Sequence, residues 1–200
     1  MGATMTAEPV HDWSRPPLDG YTVDDLLTLP DLPRHTELTD GSLVFASPQR
    51  FIHSDLIDFL VTRLRQSAPR HTKVAREMTV VIDKRNGPWP DISVVRREAC
   101  TSPMQTHFYA ADVMLAVEVV SPESEARDTE TKLHKYAAAG IPNYWIVKIE
   151  GDEDAVEPVV YVYVLDPHTR AYVCQGIHTK PFSVDRPFAA RIDFEGLDEM

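Results

Sequence analysis

The predicted elements of this 200-residue chain follow one another in the order expected of a mixed α/β sandwich. Apolar residues at helical spacing over residues 52–67 indicate an amphipathic helix, and the apolar run Val113–Val120 has the length of a fully buried strand. No internal repeat and no linker interrupts the sequence. We therefore expect one domain over residues 21–200, preceded by a flexible arm over residues 1–20 that is rich in Pro, Ala and Thr.

A short helix and a hairpin are predicted at the start of the domain. Thr22 can cap a helix that runs through Leu27, because two acidic residues lie where a first helical turn favours them. Asp40-Gly41 is a strong signal for a two-residue turn between the strands Thr36–Leu38 and Ser42–Ala46.

Strands dominate the rest of the chain. A turn is predicted at Asn86-Gly87-Pro88, a second long helix over residues 128–139 with Gly140 as its stop, and an acidic loop over Glu150–Pro158. Beyond the apolar run already described, the predicted strands are Lys73–Ala75, Met78–Ile82, Asp91–Val95, Asn143–Ile149, Val159–Leu165 and, with weaker patterns, Ala171–Cys174 and Arg186–Ile192.

The net charge of −11 opposes nucleic-acid binding at first sight, because phosphate backbones are bound by Lys and Arg. Residues 50–97 nevertheless hold ten basic and five acidic side chains, whereas both flanking segments are acidic. This basic segment can mark a surface that faces a polyanion, or it can be an ordinary solvated surface. If nucleic acid binds there, the expected contacts are Arg63, Arg70, Lys73 and Arg76.

Other features disfavour a membrane protein and a zinc protein. No segment approaches the roughly 20 apolar residues that a membrane span needs, and the N-terminus lacks the charged-then-apolar pattern of a secretory leader. Cys100 and Cys174 stand apart from any Cys/His cluster, which disfavours structural zinc. Two reduced thiols fit a cytoplasmic location best.

Glu118 is the most informative position, because it places a carboxylate inside the apolar run. Without compensation this burial would cost on the order of several kcal/mol. A structural ion pair with an arginine is one explanation, and a metal or catalytic site is the other. Asp91, which follows Trp89-Pro90 and opens a strand, is by itself more often a turn cap, but with Glu118 it forms a plausible pair of oxygen ligands for Mg²⁺.

Asp128, Lys132 and Tyr136 are spaced four residues apart, so they share one face of the second predicted helix. Lys132 can form a surface pair with Asp128, worth roughly a few tenths of a kcal/mol. Beside a metal site it would instead stabilise charge on a phosphate or orient the attacking water, and Lys132→Ala would then remove activity without loss of the fold. Glu37 and His53 can each be structural or part of the same site.

Taken in order along the chain, these residues resemble the motifs of the Uma family, a group of bacterial restriction endonucleases within the PD-(D/E)xK nuclease superfamily. The resemblance runs from about Tyr21 to the C-terminus. In the superfamily a lysine lies two residues after the second acid, where this chain has Val120, and the resemblance implies that Lys132 replaces it from the following helix. The matching motifs are Glu37-Leu38-x-Asp40-Gly41, Ser47-Pro48 before His53, Pro90-Asp91, Glu118-Val119-Val120-Ser121-Pro122, Lys132-x-x-x-Tyr136 and Gly140-Ile141-Pro142-x-Tyr144-Trp145.

The resemblance implies a restriction-endonuclease-like core, with a mixed β-sheet flanked by helices, and metal-dependent hydrolysis of phosphodiester bonds, expected in DNA. Asp91 and Glu118 would hold Mg²⁺ or Mn²⁺ together with the Val119 carbonyl, Glu37 would be an outer or second-metal ligand, and Lys132 would stabilise the transition state. The side chains expected to support them are His53, Asp128 and Tyr136. A homodimer would supply the two sites that cutting both strands of a duplex needs. The alternative function is a catalytically silent module that keeps the nuclease fold and binds nucleic acid or protein.

Overall fold

The computed structural model describes residues 15–152 and 155–197, so residues 1–14 of the predicted arm lie outside the described part of the chain. The described residues form three α-helices and twelve β-strands. The helices are α1 (Val23–Thr28), α2 (Phe51–Ser67) and α3 (Lys132–Ala138), and the strands are β1 (Thr36–Thr39), β2 (Ser42–Phe45), β3 (Thr72–Arg76), β4 (Thr79–Val81), β5 (Ile92–Arg96), β6 (His107–Tyr109), β7 (Val113–Val119), β8 (Asn143–Asp152), β9 (Ala155–Asp166), β10 (Ala171–His178), β11 (Phe182–Val184) and β12 (Ala190–Ile192).

A six-stranded mixed sheet organises the molecule, with the strand order β10-β9-β8-β7-β5-β3. Strands β7 and β8 are parallel, and every other neighbouring pair in this sheet is antiparallel. Helix α2 and the β11–β12 hairpin cover one face, whereas α3 and the β4–β6 pair cover the other. The predicted α/β fold, a mixed sheet flanked by helices, is therefore confirmed.

The central strand β7 shows why an acidic residue there is informative. Leu115, Val117 and Val119 pack into the cluster that includes α2, while Ala116 and Val120 pack on the opposite face. Because side chains alternate along a strand, Glu118 shares the α3 face with Ala116 and Val120. Burying each large aliphatic side chain of this core stabilises the fold by about 1.5–3 kcal/mol. A shift of β7 by one residue would lose this burial, so the apolar side chains fix the strand register and with it the position of Glu118.

Local sequence signals explain the elements at the N-terminal side. Thr22 caps α1 in a reciprocal capping box with Asp25, as its position predicts. Asp40 and Gly41 both have positive φ, at 50° and 80°, which the tight turn between β1 and β2 requires. Leu38 pairs with Gly87, so the hairpin is joined to the segment that leads into β5.

Three predicted details are wrong. The predicted loop Glu150–Pro158 is wrong for its described residues, because β8 and β9 extend into it from both sides and pair as far as Asp152 and Ala155. Of the predicted strand Arg186–Ile192, only Ala190–Ile192 is a strand, and it is β12, which pairs with β11 in a hairpin. The tight turn lies at residues 84–85 rather than at Asn86-Gly87-Pro88. Within the described residues, no helix is both long and apolar enough to cross a membrane.

Candidate active site

A cavity of about 480 Å³ lies beside the ends of β5 and β7, and all four predicted catalytic residues line it. Glu37 comes from β1, Asp91 from the residue before β5, Glu118 from β7, and Lys132 from the first position of α3. The structure therefore brings together side chains that are up to 95 residues apart in the sequence.

Asp91 and Glu118 are placed by the pairing of their strands. Ile92 pairs with Val117 in the antiparallel register, so continuing by one residue sets Asp91 beside Glu118. The Val119 amide donates a 2.7 Å hydrogen bond to Asp91 Oδ2, which holds the aspartate against the end of β7. The two predicted metal ligands thus share one end of the sheet.

Lys132 is the centre of a buried ion-pair cluster. Its Nζ lies 2.7 Å from Glu37 Oε1, 3.0 Å from Glu118 Oε2 and 3.1 Å from Asp128 Oδ1. Only 7% of the lysine side chain is exposed, so its pair with Asp128 is not a surface pair. This burial also argues against the expectation that Lys132→Ala leaves the fold intact, because removal of the ammonium leaves several buried carboxylates without a counter-charge.

A π-helical turn places Asp128 and Lys132 at the cavity. Residues Arg127–Thr131 form a π-helical turn that leads directly into α3, and such turns are frequent at functional sites. Tyr144 donates a 2.7 Å hydrogen bond to the backbone carbonyl of Asp128, and Tyr136 donates one of 2.8 Å to Glu118 Oε1. Both tyrosines are fully buried, so these bonds hold the acidic cluster from its apolar side.

Burial dominates the electrostatics of the cluster. It raises the pKa of Asp91 to about 7, although the Val119 amide and the Lys132 ammonium oppose this change. Burial also raises the pKa of Glu118 well above its ordinary value, against the effect of Lys132 and reinforced by the neighbouring carboxylates. For Lys132 burial acts to lower the pKa, but Glu118, Glu37 and Asp128 together raise it well above its ordinary value. Lys132 is therefore charged at neutral pH.

The cavity is rich in carboxylate oxygens. Four carboxylates, those of Glu37, Asp91, Glu118 and Asp128, meet in the cavity around the single ammonium of Lys132. Glu37 Oε2 is a buried acceptor that receives no hydrogen bond. In the described part of the chain, no group of three or more His, Cys, Asp or Glu side chains is arranged to hold a metal ion. Mg²⁺ is usually bound by one or two carboxylates together with water and phosphate oxygens, so a pair of these carboxylates would be sufficient for it.

His53, predicted near the site, lies at the start of α2 and lines the cavity. Its Nε2 lies 2.9 Å from the Val119 carbonyl and 3.7 Å from Asp91 Oδ2. Since a carbonyl only accepts, Nε2 carries the proton of this hydrogen bond. Burial lowers the pKa of His53, which favours the neutral ring. The histidine therefore bonds to the Val119 carbonyl, the expected further metal ligand, and leaves one lone pair of that oxygen free.

The four basic residues expected to contact nucleic acid do not line this cavity. Arg76 is paired with Asp58 and Glu77, and Arg63 donates to the Glu195 carbonyl. Lys73 lies on the edge strand β3, and Arg70 is exposed in the preceding loop. Their positions along α2 and β3 leave them dispersed rather than gathered at the acidic cluster.

The lining also contains residues that the sequence patterns did not single out. Arg127 begins the π-helical turn, and its Nε is buried without a hydrogen-bond partner, 4.0 Å from Glu37 Oε2. His35, Glu77 and Trp89 also line the cavity. Arg127 could have been identified because it directly precedes Asp128 in the sequence. No local sequence pattern links His35, Glu77 or Trp89 to the site.

Comparison with known proteins gives a family match and matches to the folds of solved structures. A family described as "Uma2: Putative restriction endonuclease" matches residues 23–189. The fold is similar to the crystal structure of a putative nuclease belonging to DUF820 from Anabaena variabilis ATCC 29413, with a TM-score of 0.66 and 18% sequence identity. That match covers 89% of this chain and 97% of the other. No curated protein matches the sequence.

Proposed function

The chain belongs to the Uma2 family, and from this premise we propose that the cavity hydrolyses phosphodiester bonds in DNA with the help of Mg²⁺ or Mn²⁺. The observation that carries the proposal is the excess of buried carboxylates over cations around Lys132. Like charges in a buried site are costly, so a protein retains them where a cation or a reaction uses them.

Asp91 and Glu118 would hold the cation, because they lie together at the end of the sheet, and Glu37 would be an outer ligand. When bound, the cation would supply a more acidic water and would offset charge on the scissile phosphate. The pKa of Asp91, raised to about 7 by burial, means that this carboxyl exchanges its proton close to neutral pH. Cation binding would therefore compete with that proton, and affinity would rise as the pH rises.

Lys132 and Arg127, two cationic residues of the cavity wall, would have different roles. Lys132 is occupied by three carboxylates, so it would keep Glu37, Glu118 and Asp128 in place and would stabilise charge that develops next to them. Among the described residues, Arg127 is the other Lys or Arg in the cavity wall, and its buried Nε has a free donor. Its planar fork suits a phosphate oxygen.

The assembly and the location follow from the same proposal. A DNA backbone would pass from the cavity towards the basic segment of residues 50–97, where Arg76 lies next to the cavity-lining Glu77. A homodimer would place two cavities on one duplex. We expect a cytoplasmic protein, since Cys100 and Cys174 are both free and exposed.

Plasmid cleavage with Mg²⁺, Mn²⁺ or Ca²⁺ tests this proposal, with Glu118→Gln as the key variant. We expect cleavage with Mg²⁺ or Mn²⁺, little with Ca²⁺, and a loss of at least about 100-fold in the variant. Glu125→Gln is the matched control, because Glu125 forms an exposed pair with Lys148 outside the cluster. DNA binding without cleavage under all conditions would instead support the silent module.

Thermal unfolding with Mn²⁺ gives a second readout that does not require turnover. A ligand that binds the folded state raises the melting temperature. We expect Mn²⁺ to raise that temperature for the wild type and the Glu125→Gln control, but not for Glu118→Ala.

A further inference from the structure

An aromatic pair forms part of the cavity wall. The rings of His35 and Trp89 stack with centroids 4.9 Å apart and planes inclined by 23°. The His35 side chain is 46% exposed, while Trp89 is partly buried beneath it. The pair therefore presents a π surface beside the acidic cluster.

The backbone is in an unfavourable conformation at His35 and at its neighbour in space, Glu77. His35 and Glu77 have φ values of 59° and 52°, in the left-handed region that residues with a Cβ rarely adopt. These two residues touch each other, since His35 Nδ1 lies 3.6 Å from Glu77 Oε1, and both line the cavity. Strained positions that cluster at a cavity are a feature of ligand-binding sites. The Glu77 carboxylate thus lies beside the imidazole that stacks on Trp89.

We propose that His35 and Trp89 form a stacking subsite for an unpaired nucleobase of the nucleotide next to the scissile phosphodiester. The inference rests on the proposed function, because the same cavity would hold that phosphodiester between the acidic cluster and Arg127. Every base has a π face, so such a platform accepts bases with little sequence preference. A base within a duplex is already stacked on its neighbours, so the nucleotide must be single-stranded or locally unpaired.

The test measures binding of two fluorescein-labelled probes by anisotropy, with Ca²⁺ present. One probe is a thymidine decamer, and the other is a decamer of tetrahydrofuran abasic residues with the same phosphates. We expect the wild type to bind the thymidine probe on the order of ten-fold more tightly than the abasic probe. His35→Ala should lose this preference and bind the abasic probe as the wild type does, and His35→Phe should restore it.

His178→Ala is the matched control, since His178 also stacks on an aromatic ring, that of Phe182, and does not line the cavity. It should keep the wild-type preference. Equal binding of both probes by the wild type, absence of binding, or an equal loss of both probes in His35→Ala would overturn the inference. Base-dependent binding without cleavage in Mg²⁺ overturns the proposed function, whereas cleavage without base dependence overturns only the stacking subsite.

Discussion

Replacing Asp91 with asparagine should stabilise the protein at high pH. The pKa of the Asp91 carboxyl rises from 3.8 to about 7 on folding, chiefly through desolvation, with 18% of the side chain still exposed. Between these values the folded state holds a proton that the unfolded state releases, so wild-type stability falls as the pH rises from about 4 to about 7 and changes no further above that. At 1.36 kcal/mol per pKa unit, the full loss is on the order of 4 kcal/mol.

An asparagine at this position would carry no charge at any pH, and its side-chain oxygen can still accept the hydrogen bond from the Val119 amide. Asp91→Asn should therefore match the wild type near pH 4 and exceed its free energy of unfolding by up to about 4 kcal/mol at pH 8. Urea unfolding at several pH values, with EDTA present, measures the difference. Asp112→Asn, which removes a carboxylate from a partly exposed pair with Arg96, is the control.

A difference between Asp91→Asn and the wild type that does not change with pH would refute this reasoning. The reasoning would be refuted more strongly if the free energy of unfolding of Asp91→Asn, relative to the wild type, were lower at pH 8 than at pH 4. The same variant should lose cleavage activity, so greater stability and loss of function would come from one substitution.

Three further changes test other parts of the cavity and its surroundings. Lys132→Met should lower the free energy of unfolding by about 3–5 kcal/mol in urea, because it leaves three carboxylates without their cation. Arg127→Gln should change stability by less than about 1 kcal/mol but lower kcat/KM for DNA on the order of ten-fold to 100-fold, in steady-state assays. Neutralising four dispersed basic residues should weaken DNA binding and flatten its salt dependence, measured in Ca²⁺. The four basic residues are Arg63, Arg70, Lys73 and Arg76.

Each of these changes has an outcome that contradicts it. A Lys132→Met protein as stable as the wild type would mean that the buried carboxylates are protonated or hydrated in solution. Unchanged kcat/KM in Arg127→Gln would remove Arg127 from phosphate binding. Equal salt dependence before and after neutralisation would return the basic segment to an ordinary solvated surface.

Local signals in the sequence were sufficient for much of the fold. The capping box at Thr22, the Asp40-Gly41 turn and the apolar spacing of α2 each act within a few residues, so they could be recognised without the tertiary structure. The extension of β8 and β9 through the acidic segment depends on pairing between the strands rather than on the apolar pattern. It therefore escaped prediction.

The residues of the site also differ in whether the sequence alone could reveal their role. Glu118 could be identified because a charge inside an apolar strand has a cost that one sequence reveals. The threefold ion pairing of Lys132 could not, since Glu37 lies 95 residues away and the lysine fits a surface helix pattern equally well. The stacked His35 and Trp89 rings meet through the tertiary structure, and no local pattern joins them.

Anomalous diffraction from crystals soaked in Mn²⁺ tests the central claim most directly, because it locates the cation without requiring turnover. The account predicts a peak within roughly 2.0–2.6 Å of carboxylate oxygens of both Asp91 and Glu118. A matched soak of Glu118→Gln crystals should lose that peak. Wild-type crystals with no peak in the cavity at saturating Mn²⁺, or with a peak that contacts neither carboxylate, would contradict it.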